Sequence, residues 1–230
     1  MTLTLALARL AWKRLWRGKM VWISGLLVLV PLSIAAIAPR DRSPERRFEL
    51  IVELTLRSLV LLVPVLHLAP VVGEESERKT YTYLWSRPVP RPTLLWGNLL
   101  VILPLAAVAA AATLAAAFAL IGGEVEWLAR AQAGAAAGVA GASAFALGVG
   151  ALFPRHPLVV TLAWVFLGEQ ILPEIPSVQN LSIVRHATTI AGHGGDDPAG
   201  AALAVAILSA IWLAVAVWRI KRMEFGSAEG

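Results

Sequence analysis

The sequence predicts an all-α, polytopic membrane protein with six transmembrane helices. Its 230 residues are 58% hydrophobic, and the mean hydropathy is +0.71. The apolar residues form long blocks that contain almost no charge, which is typical of helices that cross a bilayer. The six blocks are 20–39, 58–73, 92–123, 131–154, 157–168 and 198–218. We therefore expect a single membrane domain over residues 1–230, without a large soluble domain.

The charge distribution indicates membrane topology rather than nucleic acid binding. The net charge is +5, but most Lys and Arg residues border the apolar blocks, as they do on the cytoplasmic side of membrane proteins. This pattern places both termini in the cytoplasm, although the arginine-rich loop 39–50 then lies outside. The chain contains no cysteine, which excludes disulfides, thiol chemistry and thiolate metal sites.

The first 19 residues are predicted to form an interfacial helix on the inner leaflet. Trp12 and Trp16 share one helical face, and Arg9 and Lys13 lie on another, which is typical of helices that lie in the bilayer interface. A signal peptide is the alternative because residues 36–38 resemble a cleavage site, but the basic leader is too long for one.

The second apolar block follows the outer loop and contains three candidate polar residues. Glu53 and Arg57 are four residues apart, so they form either a local salt bridge at the outer helix end or a pair that lines a path. His67 lies deeper in the block. It either hydrogen-bonds to a neighbouring helix or serves as a metal ligand or proton relay.

The third and fourth blocks predict two helices joined by a short outer turn around residues 124–130. The third block contains Pro104, which can kink a transmembrane helix without ending it. The fourth is rich in Ala and Gly. Its Gly134, Gly138 and Gly141 share one helical face, which favours close helix packing.

The fifth block, 157–168, is too short for a full crossing because it extends only about 18 Å as a helix. Glu169 and Gln170 follow it, close to a break at membrane depth. Glu169 therefore either faces a polar cavity or caps the next helix. The stretch 172–200 is expected at the outer surface as short re-entrant helices shielded by protein. The last block ends in basic residues at the inner leaflet.

One long charged insert, residues 73–91, separates the second and third blocks and is expected in the cytoplasm. Glu74 precedes Arg78 by four residues, and Glu75 precedes Lys79 by four, which supports a helix. Pro88 ends this helix, so we expect it over residues 74–87, about 21 Å long.

Known catalytic motifs are missing from the sequence. It contains no GxxxxGK[ST] phosphate loop, no HExxH and no GxSxG. Glu74, Glu75 and Lys79 approach the EExxxR motif of membrane-embedded CAAX-type proteases, but a lysine replaces the arginine and no FxxxH follows. An intramembrane protease is therefore a distant alternative.

The run ERKTYTYLWSRPVPRPTLLWGNLL resembles the corresponding segment of type-2 ABC transporter permeases. An acidic start, a leucine-rich turn, an Arg-Pro-Val-x-Arg run and a later glycine occur in the family's order. Lys79 replaces the usual glycine, and Asn98 replaces the usual lysine. The matching residues are Thr80, Leu84, Ser86, Arg87, Pro88, Val89, Arg91 and Gly97.

The resemblance implies a permease subunit of a bacterial ABC exporter in the cytoplasmic (inner) membrane. The permease binds no cofactor itself, because ATP and Mg are held by two copies of a separate ABC ATPase subunit. It pairs with a second permease copy or a sister permease within the membrane lipids, and it transports substrate by alternating access. The residues implied in ATPase coupling are Glu74, Glu75, Glu77, Arg78, Lys79, Thr80, Tyr81, Leu84, Trp85 and Arg87.

The candidates for the substrate path are Glu169, Gln170, His67, Glu53 and Arg57. The apolar face of the coupling helix, formed by Tyr81, Leu84 and Trp85, packs either on the ATPase or on the permease's own spans. The alternative of another class is a membrane anchor or assembly protein that transports nothing.

Overall fold

The chain folds into a bundle of long helices. The computed structural model describes residues 3–18, 20–37, 43–71, 92–194 and 197–222, and these ranges contain no strand. The helices are α1 (Leu3–Arg17), α2 (Met20–Ile37), α3 (Pro44–Leu68), α4 (Thr93–Ile121), α5 (Val125–Leu152), α6 (Pro157–Ala163, Trp164–Gly168 and Glu169–Ile171), α7 (Ile183–Ile190) and α8 (Pro198–Arg222).

Five of these helices, α2, α3, α4, α5 and α8, are long and apolar enough to cross a membrane. The fold is therefore that of a multi-pass helical membrane protein, as the sequence predicts. The predicted coupling helix at 74–87 lies outside the described residues.

Helix α5 is central, and its small residues set the packing of the bundle. A Cβ atom added at Gly134 would lie 2.5 Å from the carbonyl oxygen of Ala187 in α7. A Cβ at Gly138 would lie 2.7 Å from a methyl group of Val60 in α3. The close helix packing that the sequence predicts is therefore present, and it allows α3 and α7 to approach the backbone of α5.

The contacts of α5 also show the helix directions. Gly138 and Gly150 lie beside Val60 and Ala69 in the same order, so α3 runs parallel to α5. Helix α1 packs on the first turns of α4, where Gly97 faces Leu7. We call this side of the bundle the α1 end, and the side where α3 and α5 begin is the α7 end.

Helix α3 begins earlier than the sequence analysis predicts. Residues 39–50 are expected to form an outer loop, but the helix starts at Pro44. Ser43 is its N-cap and accepts a hydrogen bond from the Arg46 backbone N–H. Serine before proline is a strong helix-start signal. Within this first part of α3, the buried Phe48 packs edge-on against Phe118 of α4.

Helix α5 also begins earlier than predicted, at Val125 rather than 131. Most of the expected turn at 124–130 is helical, and Glu126 and Arg130 form an exposed ion pair within these first helical turns. The remaining link contains Gly122 and Gly123, whose φ angles of 78° and 142° suit glycine.

Helices α6 and α7 follow one another along α5, both antiparallel to it. Trp164 of α6 packs beside Phe145, with 5.8 Å between the ring centroids. Ile183, the first residue of α7, lies beside Gly141. Between the two helices the chain leaves the helical path and forms two short 3-10 turns, Leu172–Glu174 and Gln179–Leu181. The two helices therefore form one broken path.

Candidate functional site

The break between α6 and α7 is organised by Glu169, which is 2% exposed. Its Oε2 accepts hydrogen bonds from the Ser182 hydroxyl at 2.7 Å and from the Val184 N–H at 3.2 Å. Its Oε1 accepts a bond from the Ile183 N–H at 3.2 Å. Both carboxyl oxygens are therefore bonded to the first residues of α7.

The first N–H groups of α7 are fully satisfied. Glu169 accepts from Ile183 and Val184, and the Ser182 hydroxyl accepts from Arg185 at 3.1 Å. The Ser182 carbonyl accepts from the His186 N–H at 3.5 Å. The partly positive helix start thus faces a negatively charged group, which stabilises both. Of the two roles predicted for Glu169, the cap is the one observed.

The cap lies near the middle of the bundle. Gly141, which faces Ile183, is about 24 Å along the axis from the start of α5 and about 17 Å from its end, at 1.5 Å per residue. The hydrocarbon core of a bilayer is about 30 Å thick. Helix α7 therefore begins deep within the membrane and rises towards the α7 end.

A polar segment accompanies this break. Glu174 and Ser177 are exposed on the surface of the chain. Asn180 is also exposed, and its side chain accepts a hydrogen bond from the Arg185 guanidinium at 2.9 Å. The Asn180 carbonyl oxygen bonds the ring of the buried His186 at 2.9 Å. Polar atoms at membrane depth are costly when they face lipid, so this segment needs water or protein beside it.

Two small cavities lie at the α7 end, with volumes of about 290 and 310 Å³. Both are lined by Glu49 and His193. The first also contains Glu45 and Arg130, and the second contains Arg185. The region therefore carries both signs of charge. Within the described part of the chain, the buried His193 Nδ1 atom has no hydrogen-bond partner.

Glu53 and Arg57 form the ion pair that their spacing predicts. Arg57 Nη2 lies 2.9 Å from Glu53 Oε1, and both side chains are about half exposed. They line the same cavity as Val184, whose N–H is bonded to Glu169. Glu169 itself does not line this cavity, so its connection to Glu53 and Arg57 runs through Val184.

His67 lies apart from these residues, near the α1 end. Its Nε2 atom is 2.9 Å from the Ser24 hydroxyl of α2. The same hydroxyl donates to the Met20 carbonyl at 3.0 Å, so the matching tautomer of His67 carries its proton on Nε2 and donates a hydrogen bond to the Ser24 oxygen. The hydrogen bond to a neighbouring helix is thus the alternative observed for His67.

Several candidates lie beyond what the structure describes. Gln170 belongs to α6, but its side chain is outside the described part, as are all the residues implied in ATPase coupling. Within the described ranges no three His, Cys, Asp or Glu side chains are placed to hold a metal ion.

Two residues of the site were missed in the sequence. Ser182 precedes the apolar pair Ile183 and Val184, which is an ordinary helix-start signal. No sequence pattern marks Ser24 as the partner of a residue on another helix, because a serine inside an apolar helix usually bonds its own backbone. A comparison with protein-family models found no matching family, and a comparison with curated proteins found no matching relative.

Proposed function

We propose that this chain is the membrane-spanning permease subunit of an ABC transporter, acting as an exporter in the bacterial inner membrane. Two copies of a separate ATPase bind ATP and Mg and drive alternating access. A second permease copy or a sister permease completes the transport path. In this proposal, five continuous helices and the broken path of α6 and α7 make six crossings, so both termini lie on the same side. The basic residues that border the spans assign that side to the cytoplasm.

The observation that carries this proposal is the polar break between α6 and α7. Helix α6 contains a π-helical turn, Trp164–Gly168, and such turns are frequent at functional sites. The chain after it presents Glu174, Ser177 and Asn180 at its surface. Because lipid is a poor solvent for these groups, a polar cavity between two permeases is the environment that suits them.

The order of elements supports the same assignment. A basic interfacial helix, α1, precedes the first span, and short helices at the α7 end precede the last one. This order agrees with the plan of the permeases that the sequence resembles. The role of the predicted helix 74–87 as the contact with the ATPase rests on the sequence alone.

Glu53, Arg57, Glu169 and Gln170 are proposed for the outer part of the substrate path. The Glu53–Arg57 pair lines a cavity at the α7 end. Glu169 lies nearer the middle of the bundle and is bonded to the N–H of Val184, which lines the same cavity. Glu169 acts there through its cap, because it holds the first turn of α7 in place. Any movement between α6 and α7 must break or carry along these three hydrogen bonds.

The first test is whether a gene beside that of this chain encodes a lone ABC ATPase, and the second is co-expression of the two proteins. We expect the two proteins to co-purify and ATP hydrolysis to depend on the permease. Exchanging the charges by Glu75→Arg with Arg78→Glu should weaken docking or coupling, because these residues lie in the predicted contact. The matched control is Glu126→Arg with Arg130→Glu, an exposed pair of opposite charges at the α7 end.

Three outcomes are decisive. Loss of coupling in the first double variant but not in the control supports the proposal. Unchanged coupling in the first variant removes helix 74–87 as the contact. A wild-type chain that binds no ATPase and moves no substrate indicates the membrane anchor instead.

A further inference from the structure

The larger of the two cavities at the α7 end carries opposite charges on neighbouring helices. Its lining includes Glu49, Glu53 and Arg57 from α3 and Arg185 from α7. We call it the Arg185 cavity. Its volume of about 310 Å³ is at the small end of the range of ligand sites, which suits a lipid headgroup or a molecule of similar size.

The Arg185 cavity extends from the middle of the bundle towards the α7 end. Val60 of α3 lies beside Gly138, the midpoint of the 28-residue helix α5. At 1.5 Å per residue, Arg57 is about 5 Å and Glu49 about 16 Å from Val60 along the axis of α3. Half of the hydrocarbon core is about 15 Å thick. With the bundle centred in the bilayer, the charged lining thus runs from the headgroup region into apolar depth, where charged residues mark functional sites.

Glu49 and Arg185 share the cavity without pairing with each other. Glu49 is exposed and Arg185 is half-buried, and neither belongs to an ion pair within the described residues. Arg185 donates from Nη1 to the Asn180 side chain at 2.9 Å, which leaves its other N–H groups for a further acceptor. A ligand that carries both charges can therefore satisfy both side chains at once.

The acidic side of the cavity favours an ammonium group with N–H donors. Glu49 and Glu53 both belong to the lining, and carboxylates accept charge-assisted hydrogen bonds from such donors. A quaternary ammonium group has no N–H and is recognised by aromatic rings instead. The part of the lining that the structure describes contains no Phe, Tyr or Trp. The acids thus distinguish a primary ammonium from a choline-type group.

The basic side of the cavity favours an oxyanion, because a guanidinium presents parallel N–H donors that match phosphate or carboxylate oxygens. We propose that the Arg185 cavity binds a zwitterion in which a primary ammonium and an oxyanion lie a few bonds apart, as in phosphoethanolamine. Arg185 contacts the oxyanion, and Glu49 contacts the ammonium. As a substrate site the cavity rests on the function proposed above, but its binding is measured without an ATPase, so either proposal can fail alone.

The experiment uses the full chain in nanodiscs made of equal parts phosphatidylethanolamine and phosphatidylcholine with the same acyl chains. The chain is extracted in mild detergent, and mass spectrometry counts the lipids that remain bound. The two headgroups differ in the N–H groups of the ammonium. We expect phosphatidylethanolamine to be retained about tenfold over phosphatidylcholine, the effect of one hydrogen bond between charged groups.

A second arm separates the lipid headgroup from a free molecule. Glycerophosphoethanolamine, which has the same headgroup without acyl chains, is titrated into nanodiscs of phosphatidylcholine that contain the chain. Lipid preference without binding of this probe assigns the lipid, and probe binding without lipid preference assigns the free molecule. Both results together show that the cavity accepts the zwitterion from either source. The absence of both overturns the proposal.

Glu49→Gln tests the ammonium contact. It should reduce the binding of phosphatidylethanolamine or of the soluble probe about tenfold and leave phosphatidylcholine unchanged. The matched control is Glu45→Gln, because Glu45 is exposed one turn earlier on α3 and belongs to the described lining of the smaller cavity only. An equal loss in both variants would show only a general effect of negative charge and would overturn the site.

Arg185→Gln tests the oxyanion contact. It should weaken both lipids about tenfold, because both carry a phosphate. Since the variant also loses the bond to Asn180, Asn180→Ala is the control that loses this bond and keeps the charge, and it should bind as the wild type does. Unchanged binding in Arg185→Gln, or an equal loss in Asn180→Ala, would overturn the role of Arg185.

Discussion

Helices α1 and α7 are both short and amphipathic, yet they lie in opposite surroundings. Helix α1 rests on the edge of the bundle with Leu10, Trp12 and Trp16 exposed. Helix α7 lies between α5 and α8, with Ile183, Val184 and Ala187 almost fully buried. The surface helix can use water and lipid headgroups as hydrogen-bond partners, but the inserted helix must find all its partners in the protein.

The start of each helix shows the result of this difference. Four successive N–H groups of α7 are bonded by Glu169 and Ser182. Helix α1 has no acidic residue in its first turn, and its arginines and Lys13 suit the headgroup region instead. Substitutions should therefore have large effects around α7 and small ones around α1.

The largest effect is expected from Glu169→Ala. The change leaves the Ser182 hydroxyl and two N–H groups without their acceptor at membrane depth, and should lower the free energy of unfolding by about 3–5 kcal/mol. Glu169→Gln keeps one acceptor oxygen and should cost about half as much. Reversible unfolding in mixed micelles measures both.

Glu174→Gln is the control for this prediction, since Glu174 is exposed on the following 3-10 turn. It should alter stability by less than about 0.5 kcal/mol. A Glu169→Ala chain as stable as the control would show that α7 does not depend on its cap. Normal transport by a stable Glu169→Gln chain would remove Glu169 from the proposed substrate path.

Gly134→Ala should have the next largest effect. The new Cβ would lie 2.5 Å from the Ala187 carbonyl oxygen and 2.8 Å from the Ala191 Cβ. Because α7 is enclosed, it cannot move away freely, and overpacking of this kind costs about 1–3 kcal/mol. The same unfolding measurement applies, and a stabilised variant would show that α7 shifts easily.

Gly97→Ala is the matched change at α1 and should have the smallest effect. Its Cβ would lie 2.9 Å from the Leu7 Cβ, but α1 lies at the edge and can move outwards. The gain in helix propensity, about 1 kcal/mol, offsets much of the strain. We expect stability within about 1 kcal/mol of wild type, and a loss as large as that of Gly134→Ala would mean that α1 is as fixed as α7.

The sequence predicted the long helices well because their signal is continuous. The apolar blocks correspond to α2, α3, α4, α5 and α8, and the short fifth block correctly indicated a break near Glu169. The errors concern helix starts. The sequence analysis predicts loop at 44–50 and 125–130, although these charged stretches form about the first two turns of α3 and α5.

The site was harder to predict because its contacts join distant residues. Glu53 and Arg57 are one helical turn apart, so their pair follows from spacing. Glu169 and its partners are separated by two 3-10 turns, and nothing in the sequence shows how these turns bring Ser182 back. The Ser24–His67 bond likewise requires the packing of α2 on α3.

The Glu169 cap also has a consequence for how the chain enters the membrane during synthesis. Helix α6 leaves the ribosome before Ser182, Ile183 and Val184, which supply all the hydrogen bonds to its carboxyl group. Until they follow, the segment is short, apolar and ends in an unsatisfied acid, so it is a weak insertion signal on its own. Stable integration of α6 therefore waits for α7, and the insertion machinery must handle the two helices as a single unit.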